Sequence, residues 1–285
     1  LLGSDVAGVI DALGPGADDV EVGDGVVVNP GHSCGRCQAC LGGQDNLCRR
    51  YRILGENMSG AYAEYVCVPR TNIAPRPSRL DAPRAASAIL SFLTAWQMVV
   101  RKAQVRPGQT VLVQGGGSGV GVAAIQIAKL HGATVFTTAS TADKLARARE
   151  LGADEGINYV EDDFVAAVKK LTGKRGVDAV IEHVGGEVLA RSVLATRSGG
   201  AVVTCGATAG FVAEVDLRHI FFRQVRILGS TMAPKGDLFE VLDHLEAGRL
   251  EPVVHAVLPL SEAAKAHQIL EDRAAFGKVV LEPGK

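Results

Sequence analysis

Two groups of residues in this sequence have types and spacings that can do chemistry. Four of the six cysteines cluster as Cys34-Gly35-Arg36-Cys37-Gln38-Ala39-Cys40, followed by Cys48. Cysteines with two residues between them can turn their thiolates onto one Zn²⁺, and the short return to Cys48 completes a tetrahedron. Such a site has no open position for a substrate, so its work is structural. Two disulfides would use the same residues. Nothing else resembles a small secreted scaffold, which favours one structural zinc; redox-active thiols rank third. His32 and Asp45 lie beside the cluster as neighbours rather than ligands. Cys67 and Cys205 stand alone on expected strands and read as small core residues.

The second group is the turn Gly115-Gly116-Gly117-Ser118-Gly119-Val120-Gly121, which leaves the apolar strand Val111-Leu112-Val113-Gln114 and opens a helix over 122–130. Unpaired N–H groups and partial positive charge at a helix N-terminus stabilise a pyrophosphate. A Cβ on the glycines would hold the phosphate off and block helix–strand packing. Ser118 is small enough for this turn, and its hydroxyl can donate to the phosphate. An acidic residue usually ends the next strand of an NAD site. Here that end reads Thr137-Thr138-Ala139-Ser140-Thr141, and Ser140 with Lys144 can meet a 2′-phosphate instead. NADP(H) is therefore favoured over NAD(H). The competing reading has Ser140 capping the next helix and Lys144 solvated, with Asp143 complementing the helix dipole.

The elements that must position these groups follow from periodicity. Up to about residue 80, short Val- and Gly-rich runs such as 24–28 and 61–66, broken by turn residues, predict an irregular β domain. From Pro83 a long helix (85–100) leads into strands expected at 110–114, 133–138, 156–159, 177–184, 201–205 and 225–230. The early ones alternate with amphipathic helices, one carrying Leu145, Ala148 and Leu151, the next Phe164, Val168 and Leu171. That alternation means βαβ units and a parallel sheet covered on both faces: an α/β, doubly wound architecture. A helix through Leu238, Val241, Leu242 and Leu245 follows. The tail from Leu250, with β-like runs at 253–260 and 278–281 around one helix, predicts a return to the first domain.

The 285 residues are 47% hydrophobic and 21% charged, with net charge −1. That balance gives no reason to expect nucleic acid or an anionic membrane as partner. No apolar run is long enough to span a bilayer, and the expected location is cytoplasmic. Leu1 is not an initiator methionine and sits in strand-like sequence, so a segment is expected to precede it.

Taken together, the glycine turn and the cysteine lobe resemble the medium-chain dehydrogenase/reductase superfamily of zinc alcohol dehydrogenases and quinone reductases. Further matches are Gly3-Ser4-Asp5-Val6-Ala7-Gly8-Val9, Val22-Gly23-Asp24, Gly60-Ala61-Tyr62-Ala63-Glu64-Tyr65, Leu93-Thr94-Ala95, Glu150-Leu151-Gly152-Ala153-Asp154 and Phe276-Gly277-Lys278-Val279-Val280. The resemblance implies a GroES-like β-rich catalytic domain (1–88, zinc lobe 31–50, and 233–285) into which a Rossmann domain (89–232) is inserted. It implies cofactor contacts at Thr94, Gly116, Ser118, Gly119, Val120, Gly121, Ser140, Lys144, Tyr159, His183 and Cys205-Gly206-Ala207-Thr208. Cys34, Cys37, Cys40 and Cys48 become the structural-zinc ligands, and a homodimer or homotetramer is expected.

Two departures bear on the reaction. Where zinc alcohol dehydrogenases have Gly-His-Glu with a ligating histidine, this chain reads Gly3-Ser4-Asp5. A second ligand position, four before Thr94, holds Leu90. With those ligands gone, the resemblance leans to the zinc-independent branch, and Asp5 reads as a structural or cleft-lining carboxylate. The expected reaction is NADP(H)-dependent hydride transfer to a quinone, enone or related small-molecule carbonyl. No general acid stands out, His183 being the one candidate. The alternatives are a zinc-dependent alcohol dehydrogenase with an altered metal site and a non-catalytic nucleotide-binding relative.

Overall fold

A computed structural model describes residues 1–284, which divide into two units: 1–93 with 232–284, and 94–231. The first unit begins with β1 (Val6–Val9), β2 (Gly25–Val28) and β3 (Gly31–His32), then α1 (Gln38–Leu41), β4 (Arg52–Ile53) and β5 (Ile73–Pro75). β1, β2 and β5 form an antiparallel sheet in that order, and β3 pairs with β4. Val27 and Ala74, opposite one another, are buried on its inner face. The run at 61–66 is not a strand. Its start is held irregularly against the N-terminal segment: Gly60 donates to the Leu1 carbonyl, Ala61 to Gly3 and Tyr62 to Leu2. This crossing is too close for side chains, since a Cβ on Gly60 would lie 2.3 Å from the Leu2 carbonyl oxygen. Cys67 consequently lies exposed in coil and is not a core residue.

The helix α2 (Ala82–Trp96) continues through a π-helical turn at Gln97–Lys102. The second unit follows as β6 (Thr110–Val113), α3 (Gly119–Leu130), β7 (Thr134–Ala139), α4 (Ala142–Glu150), β8 (Glu155–Asn158), α5 (Phe164–Leu171), β9 (Val177–Glu182), α6 (Gly186–Ala195), β10 (Thr196–Thr204), α7 (Leu217–Phe221) and β11 (Arg226–Gly229). All six strands are parallel, in the order β11-β10-β9-β6-β7-β8. Strand order reverses between β6 and β9, where open α/β sheets bind their ligands at the carboxyl ends. Val111, Leu112, Val113, Val180, Ile181 and Val202 are fully buried, as a sheet covered on both faces requires.

The remaining elements are α8 (Asp237–Glu246), β12 (Val254–Pro259), α9 (Ala263–Glu271) and β13 (Lys278–Glu282), with β12 and β13 paired in parallel. Among the described residues, no helix is long and apolar enough to cross a membrane.

Candidate dinucleotide and zinc sites

The glycine turn sits at the switch point of the sheet. Gly115 has φ of 58°, a left-handed conformation that favours glycine. A Cβ on Gly121 would come within 2.3 Å of the Gly115 carbonyl oxygen, so the loop can fold back on the helix only without one. Ser118 is the N-cap of α3: its Oγ accepts the Gly121 N–H at 2.9 Å. The first N–H groups of any helix lie beyond its hydrogen-bond ladder, which leaves those of Gly119 and Val120 for a ligand. The turn is pinned from β7, where Gly115 donates to Thr138 Oγ1 and Gly116 to the Thr138 carbonyl. A glycine cradle, a capped helix of three turns and a small hydroxyl at its mouth fit a pyrophosphate.

At the exit of β7, Ser140 is half-buried. It does not cap the next helix. Thr141 does, accepting the Lys144 N–H on its side chain. Tyr159 follows β8, 41% exposed, and its N–H donates to the Ala139 carbonyl, so it stands beside the same strand end. Burial and nearby Arg147 push the Lys144 ammonium below its usual range, and Asp143 opposes them. Thr94 is buried in the last turn of α2.

The exits of β9 and β10 are laced together. Cys205 N–H donates to the Glu182 carbonyl, Ala209 to Val184 and Gly186 to Gly210. Glu182 is fully buried, accepting the N–H groups of Val184 and Gly185 on one carboxylate oxygen and the Thr204 hydroxyl on the other. Sequence reasoning missed it, because a glutamate ending a strand reads as solvated. Burial, with the Glu182 charge nearby, pushes the Cys205 thiol to about 12, so it is a neutral thiol rather than a nucleophile. Gly206, Ala207 and Thr208 continue this edge, and Thr208 Oγ1 lies 3.4 Å from the His183 carbonyl. His183 reaches the glycine turn directly, its Nε2 2.9 Å from Ser118 Oγ.

In the first unit, the Sγ atoms of Cys34, Cys37, Cys40 and Cys48 all lie within 4.8 Å of one another, with Cys37 to Cys40 at 3.5 Å. Zinc–thiolate bonds of about 2.3 Å put tetrahedral sulfurs about 3.8 Å apart, so the residues fit the ion. The N–H groups of Cys34 and Arg50 donate to Cys48 Sγ. No other group of three or more His, Cys, Asp or Glu in ligating range occurs among the described residues. Asp45 is turned away to accept the Lys235 N–H at 2.8 Å.

The departures at Ser4 and Leu90 come together in space. One Asp5 oxygen accepts the Leu90 N–H at 2.8 Å and the other accepts Lys278 Nζ at 2.8 Å. Tyr62 lies against this corner: a Cβ on Gly3 would meet its ring at 2.4 Å, and its hydroxyl is 3.5 Å from His267 Nε2. Burial pushes the Tyr62 phenol up and Lys278 pulls it back. The sequence held these two residues only as part of a resemblance at Tyr62 and as an unremarked histidine in a tail helix.

With this geometry in view, comparison with known proteins is informative. The alcohol dehydrogenase GroES-like domain family matches residues 1–78, and the zinc-binding dehydrogenase family matches 119–247. A solved structure of an NAD-dependent alcohol dehydrogenase is 54% identical, with a TM-score of 0.96 over 100% of this chain and 83% of that one. The human quinone oxidoreductase is 29% identical over 98% of this chain and 78% of its own length. The structure of the 2-octenoyl-CoA carboxylase reductase CinF with NADP and 2-octenoyl-CoA is 34% identical. Its TM-score is 0.92, over 99% of this chain and 67% of that one.

Proposed function

Because the chain belongs to the medium-chain dehydrogenase/reductase superfamily and is an NAD(P)-dependent oxidoreductase, we propose that it uses NADP(H) to reduce a quinone, enone or related carbonyl without a catalytic zinc. The observation that carries this reading is the state of the Ser4–Asp5–Leu90 corner. A serine hydroxyl is a poor zinc ligand and leucine is none, while both Asp5 oxygens are committed to Leu90 and Lys278. The nicotinamide, when bound, supplies the hydride. The protein's part is to hold the two reactants in register and to stabilise charge developing on the acceptor oxygen. The Tyr62 hydroxyl, beside Gly3 and 3.5 Å from His267 Nε2, is the hydrogen-bonding group that suits the second task.

Ser140, Lys144 and Tyr159 at the edges of β7 and β8 support the 2′-phosphate reading. Lys144→Ala should weaken NADPH about tenfold more than NADH, the worth of one charge-assisted contact; equal weakening would remove the NADP preference. The zinc lobe is proposed to hold one ion between Cys34, Cys37, Cys40 and Cys48. Self-association is supported by the exposed Phe211, Val212, Leu217, Phe221 and Phe222 in the segment that precedes the edge strand β11, and sedimentation would give the state.

A second reading, NAD-dependent alcohol oxidation, is favoured by the 54% identical relative. Metal analysis and a panel of quinones, enones and alcohols separate the two. One zinc per chain with enone or quinone turnover is expected. Two zincs with alcohol oxidation would establish the second reading, and binding without turnover a regulatory role.

A further inference from the structure

His183 makes one polar side-chain contact and lacks another. Nε2 lies 2.9 Å from Ser118 Oγ. Nδ1 is buried with no hydrogen-bond partner among the described residues. Burial alone holds the imidazole's pKa at about 4, so the ring is neutral at physiological pH and carries a single proton. Which nitrogen carries it decides what Ser118 can do.

If the proton sat on Nδ1, a buried N–H would have no acceptor, and orphaned buried donors are rarer than under-satisfied acceptors. With the proton on Nε2, that N–H donates to Ser118 Oγ, and the orphan is only a lone pair. Ser118 Oγ already accepts the Gly121 N–H at 2.9 Å. A serine hydroxyl has two acceptor lone pairs and one proton. Both lone pairs are then taken, and the hydroxyl proton must point away from Gly121 and His183, out of the mouth of the turn.

We propose that His183, as its Nε2–H tautomer, is a positioning residue that locks the Ser118 hydroxyl as a proton donor toward an anionic diphosphate at the N-terminus of α3. This rests on the dinucleotide reading of the glycine turn and adds to it a device on the neighbouring strand. The device needs the β6–β9 adjacency, because Ser118 and His183 are 65 positions apart. It needs Gly115 as well, since a Cβ there would lie 3.2 Å from Nε2. Without His183, the hydroxyl is free to rotate and spend its proton on solvent. With it, donor geometry is set before the ligand arrives, and the binding cost of fixing that rotor falls.

The first test is made on the free protein. Nitrogen-15 NMR of the imidazole should report a protonated Nε2 and an unprotonated Nδ1 for His183; the opposite tautomer overturns the proposal. The second is a double-mutant cycle read as affinity for ADP-ribose and for AMP, neither of which can turn over. His183→Leu and Ser118→Ala should each weaken ADP-ribose about fivefold to tenfold, the worth of one oriented charge-assisted bond. The double variant should be no weaker than either single one. His183→Gln, whose amide can place an N–H near the Nε2 position, should recover most of the loss. AMP, which lacks the diphosphate, should change by less than about twofold. Additive losses, or equal losses for AMP, would mean that His183 only packs. Failure of the wild-type protein to bind ADP-ribose at all would instead refute the dinucleotide reading. Cooperative melts, with Ser118→Ala lowered only by the loss of its N-cap, exclude misfolding as the cause.

Discussion

Glu182 offers the sharpest quantitative test of how the β9 exit is held. Its carboxylate receives the Val184 and Gly185 N–H groups at 2.6 Å each and the Thr204 hydroxyl at 2.9 Å, in a fully buried setting. Glu182→Ala removes the acceptor and leaves the donors. A buried donor without a partner costs about 1–3 kcal/mol. The Gly185 N–H is buried and takes about 2 kcal/mol, while the part-buried Val184 N–H can reach water and takes about 1 kcal/mol. Thr204 can turn its proton to the Gly206 carbonyl, 3.3 Å away, and adds little. The sum is about 3 kcal/mol, which for a domain of this size lowers the melting temperature by about 9 °C. Glu182→Gln keeps a carbonyl oxygen for both N–H groups and loses only charge assistance, about 1 kcal/mol or about 3 °C. Scanning calorimetry measures both variants, and hydrogen exchange at Val184 and Gly185 should quicken in the alanine variant first. An alanine variant melting within about 2 °C of the parent, or a glutamine variant as damaged as alanine, would refute the acceptor argument.

Three other outcomes are expected. Cys48→Ser should abolish retention of one zinc per chain and lower the melting temperature, because a structural zinc contributes folding energy outright; full zinc retention by metal analysis would contradict the four-sulfur site. Asp178 is pushed up by burial, but donation by Arg175, the Thr110 N–H and Arg197 outweighs this and holds its carboxyl below the usual range. Its contribution is therefore present above the unfolded aspartate value of about 3.9 and lost as pH falls through the lower folded value. The melting gap between parent and Asp178→Asn should close on acidification, and a constant gap would refute it. Lys278 is raised by the Asp5 charge against burial, so its stabilisation holds below the unfolded lysine value of about 10.4 and fades as pH rises through the higher folded one. With side chains 29% and 14% exposed, Lys278→Met should cost about 2 kcal/mol, below the range for fully buried pairs. Lys278→Arg should recover most of that loss in a thermal melt.

What the sequence reveals depends on how far apart the interacting residues lie. Strands covered on both faces are apolar through their centres, so Val111-Leu112-Val113 and Ala179-Val180-Ile181 announce themselves without any partner being known. The glycine turn is legible for the same local reason. Strand ends are not: β10 starts at Thr196, ahead of the expected Ala201, because Ser198-Gly199-Gly200 reads as a turn, while the strand runs on through a left-handed Gly199 and a register shift. The irregular approach of 60–62 to residues 1–3 cannot be seen at all, since alternating Ala and Tyr look like a strand until the crossing backbone is known. His183 was visible as a strand-end histidine, but its partner across the switch point was not. The Asp5–Lys278 pair, 273 positions apart, is the extreme case.

The same long-range contacts decide between the two chemistries the family offers. Oxidising an alcohol requires its hydroxyl proton to leave, and a zinc ion makes that possible near neutrality by stabilising the alkoxide. Ser4 and Leu90 supply no ligand for such an ion, and Asp5 could become one only by giving up Lys278, stranding an ammonium in a mostly buried corner. Reduction of an enone or quinone makes a smaller demand. The negative charge it creates is delocalised, and neutral donors at hydrogen-bond range suffice to hold it. The Tyr62 hydroxyl is such a donor, beside the glycine that precedes Ser4. A corner that holds an internal ion pair and a phenol, and no metal ligand at Ser4 or Leu90, suits the second reaction better than the first.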